Sequence, residues 1–181
     1  MADAIVPDTK DWTWVLLERC PECGLDTRTI DPHDVGGLLR ANAASWRDVL
    51  TGRTDEQLRT RPSPATWSAL EYACHVRDVL WIQRERIEQA QREDEPTFTP
   101  MRRDERVVEE RYNEQDPGVV AAEIVSAGEA LMATLDALDD AGWQRTGIYS
   151  YPEPATRIVE WIAVHTVHEL LHHRVDIGTL A

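Results

Sequence analysis

The chain has 181 residues, enough for one domain with a full hydrophobic core, and 42% hydrophobic with 29% charged residues is the composition of a folded protein. A formal net charge of −14 argues against nucleic acid or an anionic membrane as a partner, because both need a basic surface. No stretch approaches about 18 consecutive apolar residues, and Met1-Ala2-Asp3-Ala4 lacks the basic and apolar regions of a signal peptide, so a cytoplasmic location is expected.

Residues 1–31 read as an N-terminal extension. A short Trp-rich segment over residues 11–19 leads into Cys20-Pro21-Glu22-Cys23-Gly24. A single C-x-x-C has three readings: a structural or incidental pair, half of a metal site with His33 as a third ligand, or a redox pair. With no second C-x-x-C, a four-cysteine knuckle within one chain is excluded. Reducing surroundings favour thiols or ligands over structural disulfides. The seven tryptophans, spread along the chain, are expected to be packing anchors.

The first helix is expected from Asp31-Pro32, a cap followed by a first-turn proline, through Leu38, Leu39, Ala43, Trp46 and Leu50 to Gly52. A turn near residues 54–58 and the Pro-broken loop Arg61-Pro62-Ser63-Pro64 follow. The second helix has the clearest start. Ser68 and Glu71 form an S-x-x-E capping box, Trp67 and Tyr72 occupy the staple positions, and the helix should run to about Arg92 with His75 on its apolar stripe. Cys74, beside His75, points to another side and reads as buried packing. Residues 94–115 form a long connection, with a helical piece expected over 103–112. Asp116-Pro117 starts a third helix that reaches about Leu138, residues 142–154 read as a loop, and a fourth helix should run from about Thr156 to Asp176. No run alternates well enough for a sheet. Four helices with one long crossover between the second and third predict an all-α four-helix bundle over residues 32–181.

The fourth helix is apolar nearly all round and yet carries His165, His168, His172 and His173. Adjacent buried imidazoles are costly to desolvate unless something pairs them, and a metal ion does. Two ligands on one helix share an ion only at i,i+3 or i,i+4. The candidate pairs are His168/His172, His165/Glu169, Glu169/His173 and His165/His168. On the helical wheel His168 and His172 lie about 40° apart, with His165 and Asp176 beside them and free to hold their outer ring nitrogens. His75 completes a set of three imidazoles, the pattern of a site with an open position. Glu169/His173 has the same spacing, so the register on this helix stays open.

The loop Arg61-Pro62-Ser63-Pro64-Ala65-Thr66-Trp67-Ser68 before His75, together with His168-x-x-x-His172-His173, resembles the DinB/YfiT-like superfamily over about residues 32–178. That superfamily includes mycothiol-dependent maleylpyruvate isomerases and thiol S-transferases. The resemblance implies a four-helix bundle, commonly a homodimer, binding zinc or nickel through His75, His168 and His172; the extension before residue 32 is outside the pattern. It also implies a metal-dependent enzyme that uses a low-molecular-weight thiol on a small-molecule substrate, by S-transfer or isomerisation, with His165, Glu169 or His173 moving protons. The competing expectations are a non-catalytic binding module, in which the metal is closed off by four ligands, and a metal-dependent hydrolase, in which the same site activates water.

Overall fold

The computed structural model describes residues 11–178; the stretch Met1-Ala2-Asp3-Ala4 lies outside them. Its elements run in the order α1 (Val35–Gly52), α2 (Asp55–Arg59), α3 (Ala69–Arg92), α4 (Arg103–Glu109), α5 (Pro117–Asp136), α6 (Asp140–Trp143), β1 (Thr146–Tyr149), β2 (Ala155–Ile158) and α7 (Val159–Asp176), with short 3-10 turns between some of them.

Helix ends follow the capping chemistry of the sequence. The Ser68 hydroxyl accepts from the backbone N–H of Glu71, and the Glu71 carboxylate accepts from the backbone N–H of Ser68, so two orphan donors are satisfied reciprocally. Arg61 holds the same carboxylate from the preceding loop, so that Glu71, 99% buried, is matched by a guanidinium. Trp67 and Tyr72 meet across the helix start with ring centroids 5.3 Å apart. Asp116 accepts from the N–H groups of Gly118 and Val119, while Asp31 caps a 3-10 turn at Pro32–Asp34, so that α1 proper begins at Val35.

Helices α1 and α3 each pack against α5 and α7, which places α1 and α3 on opposite sides of a four-helix bundle. The α1–α5 contact is close because Gly128 has no side chain: a Cβ there would sit 2.9 Å from that of Ala43. Helix α5 is long and apolar enough, by composition, to cross a membrane, but one face of it (Val120, Ile124, Ala127, Leu131 and Leu135) is buried in the bundle. Helix α7 is the central one. Ile162, Ala163, Val167 and Leu170 are buried along it, and the indole N–H of Trp46 on α1 donates to the carbonyl of Leu170 at 2.9 Å.

The crossover between α3 and α5 is pinned at its far end. Asp78 of α3 accepts from Arg106 of α4 at 2.9 Å and from the Tyr112 hydroxyl, and Arg77 covers its other oxygen. Burial by itself would raise the Asp78 pKa; these donors outweigh it and hold the carboxyl below its ordinary value.

Two expectations need correction. Residues 142–154 are not simply a loop, and the last helix starts three residues later than expected, because Thr146–Tyr149 and Ala155–Ile158 pair as an antiparallel hairpin. Neither strand is long enough to show an alternating pattern. The hairpin forms because tertiary contacts support it: Phe98 N–H donates to Ile148 O, Ile148 N–H donates to Pro96 O, and the Phe98 ring lies where a Cβ on Gly147 would be, 2.1 Å away. The described part of the N-terminal extension packs on the bundle. Val15 and Cys20 are fully buried, and the 3-10 turn Thr13–Leu16 packs against α7.

Candidate metal centre

Two groups of side chains converge on α7. The first takes His75 from α3 with Glu169 and His173 from α7, and one ligand atom from each lies within 4.8 Å of the others. The capping box fixes the start of α3, and two turns later His75 points across to α7, its ring edge-on to Trp67. On α7 the i,i+4 spacing sets Glu169 and His173 on one side. Nε2 of His75 is 3.8 Å and Nε2 of His173 is 3.4 Å from the same oxygen, Oε2 of Glu169. The outer nitrogen of His173, Nδ1, meets Asp176 Oδ2 at 2.8 Å, which orients the ring and leaves Nε2 as the inward atom.

Both ring nitrogens of His75 and Nε2 of His173 are buried without a hydrogen bond. Buried polar atoms are normally satisfied, so these nitrogens lack a partner the site was built to receive. The electrostatics name its charge. Burial would raise the Glu169 pKa, yet the imidazoles of His173 and His75 hold it well below its usual range. Burial keeps His75 neutral by lowering its pKa. At His173 burial pulls the same way, but Asp176 and Glu169 prevail and push it up to about 9. An anionic carboxylate, a neutral imidazole and a ring that favours positive charge together fit a divalent cation.

Beside this group lies a cavity of about 370 Å³, the size of a small-molecule site. His75 and Glu169 are part of its wall, together with His165, Trp161, Tyr149, Trp12 and Met101. His165 stacks on Trp161 with centroids 4.8 Å apart, its Nε2 is 3.8 Å from Oε1 of Glu169, and burial lowers its pKa, so it is a neutral base at the cavity. Arg86, 92% buried, also faces the cavity. Its Nη atoms donate to Gln83 Oε1 and Thr99 O, its Nε has no partner, and Tyr149 lies 4.7 Å beneath the guanidinium.

The second group comprises Cys20, Cys23, His168 and His172, with one ligand atom from each again within 4.8 Å of the others. His168 and His172 stack with centroids 5.0 Å apart, on the neighbouring strip of α7. Burial lowers the pKa of both, that of His168 to about 3.

The set His75, His168 and His172 is therefore not assembled as one group. His75 sits with the alternative pair Glu169/His173, and the pair His168/His172 faces the extension; Asp176 meets His173 and His165 lies beside Glu169 in the first group. The wheel placed the two pairs correctly relative to each other, but which pair looks across to α3 depends on the rotation of α7, which the sequence pattern of an all-round apolar helix leaves undetermined. His33 is exposed and is not in the cysteine group. Cys74 is buried, as expected. Trp12, Tyr149 and Arg86 were not anticipated at the cavity. A Trp just before a cysteine pair was the only signal for the first, and the other two depend on the hairpin.

The DinB superfamily profile matches residues 38–177. The chain belongs to the DinB superfamily. Among solved structures it is similar to YfiT from Bacillus subtilis, described as a probable metal-dependent hydrolase with an unusual four-helix bundle topology, at 16% identity and a TM-score of 0.71 over 81% of this chain and 86% of that one. It is also similar to a mycothiol-dependent maleylpyruvate isomerase, at 14% identity and a TM-score of 0.67 over 86% of this chain; a variant of that enzyme gives 13% and 0.68. The matched region is 64% of the isomerase's length. No curated protein matches. At these identities the structural likeness speaks for the shared DinB bundle alone.

Proposed function

We propose that this DinB protein is a metal-dependent enzyme in which His75, Glu169 and His173 hold one divalent ion, Zn²⁺ or Ni²⁺, at the cavity wall, and that it acts with a low-molecular-weight thiol by S-transfer or isomerisation. The observation that carries the reading is the convergence of two imidazole nitrogens on a single oxygen of Glu169, at 3.8 and 3.4 Å, with those nitrogens otherwise unpartnered. Two histidines and a carboxylate form a donor set of catalytic zinc sites, which leave a position open. When bound, such an ion lowers the pKa of a thiol or water that reaches it, giving a nucleophile at neutral pH.

The chain's own residues supply the rest. His165, neutral and 3.8 Å from the second oxygen of Glu169, accepts the proton that the nucleophile or the substrate gives up. Trp161, Tyr149 and Trp12 exclude water from the cavity. Arg86, bonded to neutral oxygens, brings a positive charge to the cavity wall for an anionic substrate group. The homodimer implied by the family resemblance belongs to the same reading.

A second reading, hydrolysis, is favoured by the fuller overlap with YfiT, 86% of whose chain is covered. Parallel assays decide between them: transfer of a thiol to an anionic electrophile, and ester or amide hydrolysis without thiol. Metal-dependent turnover that requires the thiol and disappears in Glu169→Gln is expected. Turnover independent of metal in both assays, or full metal occupancy in Glu169→Gln, would overturn the proposal.

A further inference from the structure

The cluster formed by Cys20, Cys23, His168 and His172 has no part in the chemistry at the cavity, and none of the four lines it. Its geometry is that of a metal site of another kind. In tetrahedral zinc, with bonds of about 2.3 Å to sulfur and 2.0–2.1 Å to nitrogen, the sulfur–nitrogen edge is about 3.6 Å. Cys20 Sγ and His172 Nδ1 are 3.7 Å apart, too long for a strong hydrogen bond and close to that edge. His168 is 99% buried, and both of its ring nitrogens lack a hydrogen bond. Its neighbours within reach are the two sulfurs and a second imidazole.

The cysteine turn is built to hold two sulfurs in place. Gly24 N–H donates to Cys20 O at 2.9 Å, Cys20 N–H donates to Leu25 O at 2.8 Å, and Gly24 adopts φ +76°, a conformation that costs glycine nothing. Arg19 ties the turn from outside through its bond to Gly24 O. The outer nitrogen of His172, Nε2, faces Glu22 at 3.6 Å, so a carboxylate stands behind a ligating ring here too.

We infer that Cys20, Cys23, His168 and His172 form a closed, structural Zn²⁺ site that fastens the N-terminal segment to α7, separate from the open site of His75, Glu169 and His173. Binding releases the two thiol protons to solvent; two thiolates and two neutral imidazoles then hold the dication with no net charge, and no position is left for a substrate. The segment so fastened carries Trp12, whose ring lies 4.4 Å from that of His172 and also walls the cavity. The closed site is thereby a support for the open one.

The test uses the full chain loaded with Zn²⁺ or Co²⁺. Two equivalents of metal per chain are expected, and the cobalt form should show thiolate-to-metal charge transfer. Cys20→Ser and Cys23→Ser should each lose that absorption and one equivalent, whereas His75→Ala and His173→Ala should keep the absorption. X-ray absorption at the zinc edge of the wild-type chain guards against variants that fail to fold: two sulfur neighbours per two zinc ions are expected. Zinc-loaded protein without sulfur neighbours, charge transfer surviving in Cys20→Ser, or a Cys20–Cys23 disulfide in the metal-loaded chain would each overturn the inference. A single equivalent of metal with an intact thiolate signal would sustain it and remove the proposed open centre instead.

Discussion

Two strips of α7, one residue apart, carry the same i,i+4 spacing and lead to different chemistry. Glu169 and His173 look toward α3 and a cavity, where a three-donor set of nitrogen and oxygen leaves room for a fourth group. His168 and His172 look toward the extension, where two sulfurs complete four donors. Spacing on a helix thus specifies that an ion can be held. What faces the helix decides whether that ion is open to substrate.

The comparison breaks most completely through the ligands. His75→Ala or Glu169→Gln should lower metal affinity at the open site by more than about 100-fold, since loss even of an outer partner costs 10–100-fold, and should abolish turnover while the thiolate signal persists. Both sites respond equally to only one kind of change, a displacement of α7 itself. Trp46→Ala removes a fully buried indole and its bond to Leu170 O, and should cost about 3–5 kcal/mol in a denaturation titration while weakening both metals together.

Asp176→Asn should weaken the open site, whose His173 ring it holds directly, by about 10–100-fold and the thiolate site by less, read by competition with a chelator; an equal loss at the thiolate site would show that the two are not separate. Arg86→Met should raise KM for an anionic substrate by about 10–100-fold, the worth of a charge-assisted hydrogen bond, and leave metal content unchanged.

The two sites also differ in how they respond to pH. His173, pushed up to about 9, is protonated at neutral pH when no ion is present, and an ion must displace that proton. Affinity at the open site should therefore fall about tenfold for each pH unit below 9 and level off above it. The thiolate site should fall more steeply, because each thiol must give up a proton, and burial pushes Cys23 up to about 11. Equal slopes by calorimetry in several buffers would contradict the assignment of donors.

Much of this was legible in the sequence where the signal is local. The capping box at Ser68 and Glu71, the Asp116 cap and the apolar stripes located the four helices, and the spacing on the last helix picked out the two i,i+4 pairs, His168/His172 and Glu169/His173. What escaped depends on contacts between distant segments. The hairpin needs Phe98 and Pro96 from the crossover, the rotation of α7 is fixed by Trp46 and the neighbouring helices, and Cys20 meets His172 across 152 residues of chain. A helix that is buried on all sides carries no stripe from which its orientation could be read.

The offset of one residue between the two pairs on α7 yokes their fates. Adding one residue between Ile162 and Val167 would turn the ensuing turns by about 100° and bring the two imidazoles of His168 and His172 to the cavity; deleting one would bring the carboxylate of Glu169 to the sulfurs, and in either case the other pair loses its place. Drift in length along this stretch is consequently closed to the protein, and change here can proceed only by replacement of side chains in place.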